Sequence, residues 1–476
     1  MSTSITMNLD VLLAIMGFVV AMPADIAPHP SCTIASMMRA NRALYHEGAK
    51  VLLSGEVRLG TEKPRNVSSF AECCLAENGI RLAYVRRLVL TARFYTTTSP
   101  AALSTLLPKF PNLISLSLLG WTESLFEGSE GEVFFSAVAS LTTLSRLEVR
   151  EGAAEYWGVL HQLRSPLREL VWVCREGLDP KQSFFFRLSH YAPTLETLHL
   201  AGIDLFYERR RLEPRFLKVS HLILDITKLH AASFDISDLL VACPNIKRLT
   251  TTTASHSFTK YYHRYNAFEY ARRHNRKTAA RDDRSAWASL MEVRTDVVTA
   301  WAFGLSCKVE RLWLQLHHHN DIERPLPEVL ADLRPTTLYL EFHMTGPFRE
   351  PLHSPAVRRA LVQAARNHPP ELTVVDVGLY VDIGSVDADL QNVLQAFAGL
   401  KVESFRLIIL GFDDPRHGSV AATKDDTTLA ALRVLNPKAI VQDILSANPC
   451  VHKASFEVRD LPEYSADIDL DAVSDV

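Results

Sequence analysis

The sequence predicts an α/β chain: a short helical N-terminal module followed by an irregular β-α solenoid whose short strands form a parallel sheet. Three observations predict it. The spacing L-x-x-L-x-L returns about a dozen times along the chain, and a repeat unit of this size buries its apolar face only against copies of itself. Several copies follow a short helical stretch that ends in proline, which cannot continue a helical ladder. The opening residues carry helical rather than strand periodicity. Boundaries follow at 1–57 for the helical module, 58–84 for a connecting segment, 85–459 for the solenoid with an insert at 256–286, and 460–476 for an acidic, disordered tail.

In chain order, Met7 to Met22 is strongly apolar. No Lys or Arg precedes it and Asp10 stands near its start, so the positive region of a signal peptide is missing. Its roughly sixteen residues fall short of the about 20 that span a bilayer. It reads instead as a short helix with Asn8 as N-cap and Asp10 in the first turn, where the helix dipole favours a negative charge. Leu9, Leu12, Met16 and Val19 share one face, and Val11, Ile15, Phe18 and Met22 share another. A helix apolar on two faces wants two partners, its own module and something further. Ala24 to Pro30 is a proline-rich loop. Helical spacing then runs from Ile34 through Met37, Met38, Leu44, Tyr45, Ala49, Leu52 and Leu53 to Val57, interrupted only by Gly48.

The repeats begin at Val85, Leu88 and Leu90. They continue at Leu113, Leu116, Leu118; Leu144, Leu147, Val149; Leu167, Leu170, Trp172; Leu195, Leu198, Leu200; Val219, Leu222, Leu224; and Ile246, Leu249, Thr251. After the insert the pattern resumes at Leu290 and Val293, then at Val309, Leu312, Leu314, at Leu338 and Leu340, at Leu372, Val375, Val377, and at Val402, Phe405, Leu407. Val451, Ala454 and Phe456 make a last weak copy. Residues two apart on a strand point to one face, so the final two of each triplet belong to the core. Middle spacings of roughly 23 to 31 residues lie in or near the leucine-rich-repeat range. Spacing becomes uneven beyond the insert, where an ordinary α/β domain is the competing reading.

Composition narrows the function classes. The 476 residues are 47% hydrophobic and 22% charged, with a formal net charge of -3, so nothing draws the whole chain toward nucleic acid or a membrane. Seven scattered cysteines, none in C-x-x-C, argue against a disulfide framework or a zinc ribbon and fit a reducing cytosol or nucleus. P-loop, G-x-S-x-G, H-E-x-x-H and dinucleotide-binding G-x-G-x-x-G motifs are absent, and no cofactor, metal site or catalytic residue is expected.

The N-terminal stretch "MNLDVLLAIMGFVV", followed by "ASMMRANRALYHEGAKVLL", resembles the F-box, in the degenerate form found in fungal F-box proteins with leucine-rich repeats. The family usually begins Leu-Pro-x-Glu-Leu/Val-Leu-x-x-Ile-x-x-x-Leu. Here Met7 stands for the first Leu, Asn8 for Pro and Asp10 for Glu, while Val11, Leu12, Ile15 and Phe18 match. The later Cys-Arg pair is Asn41-Arg42. The resemblance implies docking to a Skp-type adaptor of a cullin-RING ubiquitin ligase. Leu9, Val11, Leu12, Ile15, Met16, Val19, Met38 and Leu44 form the implied adaptor-binding set. The solenoid would then hold an unidentified protein substrate. The alternative is a protein-interaction scaffold outside any ligase, whose helices only cap the open end of the array.

Substrate contacts are expected at strand positions between the leucines, such as Trp172, His199, Trp313 and Gln315, and on the insert at Tyr261, Tyr262, Arg264, Arg272 and Arg273. From His256 to Arg284 the insert holds eight Lys or Arg against three Asp or Glu, with Tyr261, Tyr262, Tyr265, Phe268 and Tyr270 as an aromatic stripe. Such a mixture suits an acidic or phosphorylated protein segment better than nucleic acid, or simply lies against the solenoid. "RRHNRK" is also a weak nuclear-import pattern. His317, His318 and His319 alternate direction on a strand and do not converge on one metal. Asp413 to Asp426 reads as a long surface loop.

Overall fold

In the computed structural model three helices come first, α1 (Leu9–Ala21), α2 (Pro30–Met38) and α3 (Arg42–Ser54). The structure describes residues 9–21, 30–39, 42–60, 64–91, 99–120, 129–152, 157–174, 185, 188–202, 215–226, 234, 236–253, 265–281, 287–316, 325–343, 359, 372–382, 386–414, 418–421, 430, 432–433, 435–459 and 461–470. These fall into two compact units, one reaching to Gly202 and including 215–218, the other running from Val219 onward.

The helical module has a core of its own. Met16, Ile34 and Leu44 are sealed at its centre, with Leu12, Leu13, Val19, Met37, Met38, Val51 and Leu52 around them. Gly48 does not break α3. It lets the other two helices come close, because a Cβ there would lie 2.3 Å from Met38 Cγ and 2.6 Å from Met16 Cε.

The sheet starts earlier than the sequence predicts. Helical spacing was expected through Val57 and repeats only from Val85, yet β1 (Glu56–Gly60) follows α3 directly and pairs in parallel with β2 (Arg87–Thr91). Between them lie α4 (Pro64–Leu75) and a 3₁₀ segment, Glu77–Tyr84. The first unit continues with α5 (Ser99–Leu106), β3 (Ser115–Leu119), α6 (Ser129–Ala139), β4 (Arg146–Gly152), α7 (Trp157–Gln162), β5 (Glu169–Cys174) and β6 (Thr197–Ala201). Every strand pairs in parallel with the one before it. The register stacks the repeat positions in two rows. Val57, Leu88, Leu116, Leu147, Leu170 and Leu198 form one, and Leu59, Leu90, Leu118, Val149, Trp172 and Leu200 the other. Ahead of each strand, Leu113, Leu144, Leu167 and Leu195 are fully buried. The turns are tied by a backbone ladder, Ile114 N–H to Arg86 O, Ser145 to Ile114, Arg168 to Ser145 and Glu196 to Arg168, at 2.7–2.9 Å.

The second unit repeats the scheme with β7 (His221–Ile226), α8 (Ser237–Ala242), β8 (Arg248–Thr253), α9 (Tyr265–Arg281), β9 (Ser289–Asp296), α10 (Val297–Phe303), β10 (Lys308–Leu316), α11 (Pro325–Leu333) and β11 (Thr337–His343). Then come β12 (Val374–Asp382), α12 (Val386–Ala396), β13 (Ser404–Asp414), β14 (Gly418–Ala421), α13 (Pro437–Ala447), β15 (Lys453–Val458) and β16 (Ala466–Asp469). From β7 to β13, and on to β15, neighbours pair in parallel. The uneven spacing beyond the insert therefore leaves the strand order unchanged. Leu222, Leu249, Val293, Leu312, Leu338, Val375, Phe405 and Ala454 share one register row. Where Thr251 and Thr295 replace leucine in the core, Thr251 donates to Thr295 at 2.6 Å, so these two hydroxyls are partnered with each other.

Two segments expected to be irregular are strands. The predicted loop 413–426 begins as the end of β13, which turns back into the antiparallel β14; residues 415–417 and 422–426 lie outside the described residues. Within the tail predicted to be disordered, Ala466–Asp469 form the antiparallel edge strand β16, while residues 460 and 471–476 lie outside the described residues. Ile468 pairs with Ala454, and Asp469 meets Lys453 at 3.1 Å. An edge strand carrying Asp467 and Asp469 discourages further pairing.

The insert is part of the fold. Its helix α9 lies against α10 and α8. Phe268 packs on Phe234 with ring centroids 5.0 Å apart. Buried Asn275 donates to Phe234 O at 2.7 Å and Ala302 O at 3.3 Å and accepts from Ile236 N at 3.0 Å. Removing that amide strands backbone groups in the interior, each worth about 1–3 kcal/mol. Asn275→Ala is expected to lower the denaturant stability of the full chain by about 3 kcal/mol, against less than about 0.5 kcal/mol for Lys277→Ala on the exposed side of the same helix.

Candidate functional site

The N-terminal module sorts the implied adaptor-binding residues into two groups. Along α1, Val11, Ile15 and Phe18 point outward, 49%, 39% and 64% exposed. Their spacing makes one stripe on the helix. Leu12, Val19 and Met38 are half-buried against the module core. Met16 and Leu44 are a correction: they are the centre of that core and face no partner. Leu9 opens α1, and its side chain lies outside the described residues. Phe18, the most exposed of the stripe, was absent from the implied set, although its helical spacing from Val11 and Ile15 marks it.

The opposite side of the module is tied to the first repeat. Arg81, buried in the 3₁₀ segment, donates to Tyr45 Oη at 3.3 Å, Cys73 Sγ at 3.4 Å and Glu77 Oε1 at 2.9 Å. Its guanidinium also stands 4.8 Å from the Tyr45 ring centroid. His46 on α3 meets Glu77 at 3.1 Å. Burial pushes the neighbouring Cys74 thiol up to about 12, which makes it a poor nucleophile.

On the sheet of the first unit, side chains opposite the leucine rows line up as Val89, Ser117, Glu148, Val171 and His199. His199 is half-buried at the end of this row. Trp172 is not on it. It occupies a repeat core position, is fully buried, and offers no surface to a substrate. Glu148 organises the row, accepting from Ser117 at 3.0 Å, from Arg146 at 3.1 Å and from Arg150 at 2.5 Å. Burial favours its protonated form, but the hydrogen bonds from Arg150, Ser117 and Arg146 outweigh that and hold the carboxyl below the usual range.

In the second unit the equivalent face is aromatic. Trp313 and Tyr339 are register partners whose ring centroids lie 3.7 Å apart. Tyr380 packs beside them with Ile408 and Leu410. The Arg294 guanidinium stands 4.7 Å from the Trp313 ring centroid. Gln315 and Trp313 donate to Glu341 at 3.3 and 3.4 Å. Of the expected strand contacts, Trp313 and Gln315 thus belong to one built cluster. Tyr339 and Tyr380 complete it; Tyr339 sits between Leu338 and Leu340, the position that marked Trp313, and was not singled out, while Tyr380 lies beyond the repeat leucines Val375 and Val377 and the spacing did not mark it.

The insert contributes less surface than its composition predicts. Arg272 is only 5% exposed. Its guanidinium is held by Asp332 at 2.6 Å, Glu328 at 3.0 Å and Trp301 O at 2.8 Å, so it ties α9 to α11 and α10 and is not a substrate contact. Arg276 also pairs with Asp332. Arg273 is on the surface, paired with Glu269 at 2.6 Å, and Tyr270 stacks on His274. The aromatic stripe is therefore split: Phe268 is interior and Tyr270 exterior. Tyr261, Tyr262 and Arg264, like His317, His318 and His319, lie outside the described residues.

Among the described residues no helix is long and apolar enough to cross a membrane, and no group of His, Cys, Asp or Glu is arranged to hold a metal ion. No family model and no curated protein matches the sequence.

Glu148 makes stability depend on pH. Its folded-state pKa lies below its unfolded value, so its contribution is present in full above the ordinary glutamate range and is lost as pH falls through the folded value. Glu148→Gln is expected to cost about 1–3 kcal/mol at neutral pH. Urea unfolding of both forms across the acid range checks this, and the gap should close on acidification.

Proposed function

We propose that this chain is a substrate-recognition adaptor. In this reading α1 docks a Skp-type subunit of a cullin-RING ubiquitin ligase, and the sheet face holds a protein substrate. The observation that carries the reading is the exposed stripe Val11, Ile15 and Phe18 on a module whose core is already closed by Met16, Ile34 and Leu44. A helix that served only as an end cap would turn its second apolar face onto the repeats. Here α3 makes the tie to the first repeat through Tyr45 and His46, and the second face of α1 is left to solvent. Apolar side chains aligned on one helix face are what a partner's groove would accept.

The mechanism is proximity. Holding a substrate lysine near a charged conjugating enzyme raises its effective concentration, and no bond chemistry falls to this chain. The resemblance of residues 7–53 to the F-box and the repeat register point the same way. The second reading, a scaffold outside any ligase whose helices only cap the array, is favoured by the Arg81 tie.

Capture of the full chain by a purified Skp-type adaptor separates them. Wild type is expected to be retained. Val11→Asp with Phe18→Asp is expected to reduce retention by roughly tenfold or more, because a charge enters an apolar contact. Its circular dichroism should be unchanged, since both sites face solvent. Equal retention of the variant, or none of a folded wild type, favours the cap.

A further inference from the structure

Between the helical module and the first repeat, the first unit holds a cleft of about 330 Å³ that the proposed function does not use. Glu47, Lys50, Val51 and Ser54 line one wall, and their spacing puts them on one face of α3. Ala83, Tyr84 and Arg86 line the other, and Leu13 of α1 completes the lining. Leu13 lies on the side of α1 turned away from Val11, Ile15 and Phe18, so the cleft is separate from the docking stripe. The second wall is anchored to the next repeat. Ala83 O accepts from Asn112 Nδ2 at 2.8 Å, and Arg86 O accepts from Ile114 N at 2.9 Å. Its polar side chains are not used up in this way. Among the described residues, neither the Arg86 guanidinium nor the Tyr84 hydroxyl meets a protein partner.

The lining carries two cations, Lys50 and Arg86, against one carboxylate, Glu47. Lys50 stands 3.7 Å from Glu47, beyond the usual range of about 2.7–3.2 Å, and both side chains are about half exposed, so the pair holds Lys50 loosely. Other charges nearby are engaged outside the lining. Glu56 pairs with Arg58 at 2.5 Å, and Glu77 meets His46 and Arg81. Asp10, one turn before Leu13, has an interaction of its own. Exposed Arg87 adds to the positive side. One negative charge therefore completes the lining, whereas a second would face Glu47 uncompensated and a cation would be repelled. A neutral ligand would strip water from Arg86 and Lys50 without replacing it. Leu13, Val51, Ala83 and the Tyr84 ring offer an apolar surface beside those charges. The volume lies at the small end of the about 300–1,000 Å³ of small-molecule pockets.

We propose that this cleft binds a small organic acid, a single carboxylate on a compact apolar body. The carboxylate is held by Arg86 and Lys50 with the Tyr84 hydroxyl donating, and the body lies against Leu13, Val51 and Ala83. The proposal goes beyond the adaptor reading and does not depend on it.

Ligand-observed NMR titration of the full chain with benzoate, its neutral counterpart benzyl alcohol, and inorganic phosphate tests it. Benzoate is expected to bind in the millimolar range or tighter. Benzyl alcohol should bind about tenfold more weakly, and phosphate at equal concentration should not displace benzoate. Arg86→Ala, an exposed change whose circular dichroism should match wild type, is expected to weaken benzoate by about tenfold. Glu47→Gln removes the competing carboxylate and should tighten it. Arg58→Ala, outside the lining, should leave it unchanged. No benzoate binding, equal binding of benzyl alcohol, displacement by phosphate, indifference to Arg86→Ala, an equal loss with Arg58→Ala, or weakening by Glu47→Gln overturns the proposal. Adaptor capture is measured separately, so intact capture with failed benzoate binding removes this proposal alone. Benzoate binding without capture removes the docking reading alone.

Discussion

A strand of five residues cannot bury its own leucines, and the whole chain depends on how that is solved. Within each unit, from β1 to β6 and from β7 to β13 and on to β15, neighbouring strands lie parallel and in register, so position matches position from Val57 to Leu198 and from Leu222 to Ala454. A shift by one residue would turn each leucine row to the opposite face. The in-register stack gives one face to the core and sends every other side chain to the opposite face, where alternate residues are free to vary. Side chains can change there without disturbing the leucines.

That division explains why the two faces differ so much in composition. In the first unit the outward row is knitted by Glu148 with Ser117, Arg146 and Arg150. In the second it is a step of Trp313, Tyr339 and Tyr380. Several polar groups on the core side are matched to a partner. Thr251 meets Thr295, Asn448 accepts from Leu400 N at 2.9 Å, and Asn275 spans three backbone groups. Such bonds fix helices of modest apolar content, α9 above all, in one orientation.

Much of the fold was legible because strands and leucines keep a local period. The triplets at Leu88, Leu116, Leu147, Leu170 and Leu198 all became paired strands. Strand β1 was not legible, since Val57 and Leu59 follow α3 too closely for a change of period to register in so short a run. Strand β16 was hidden by acidic composition, which reports solvent exposure and not disorder. Arg272 looked like a surface residue because its partner Asp332 is 60 residues away. Trp172 looked like a contact because it is a tryptophan, yet its place in the triplet already assigned it to the core. On α1 the sequence separated the two apolar faces correctly. It could not say which was covered, because that depends on how α2 and α3 close around Met16.

In the proposed reading, a helix face left uncovered by its own module meets a partner, and the sheet takes a different ligand. Hydrogen exchange of the full chain, alone and with a purified Skp-type adaptor, tests this most directly. Slowed exchange confined to α1 and the helices packed against it, with the parallel strands unchanged, is the predicted result. Unchanged exchange along Leu9–Ala21, or slowing that appears in the strands instead, would contradict it.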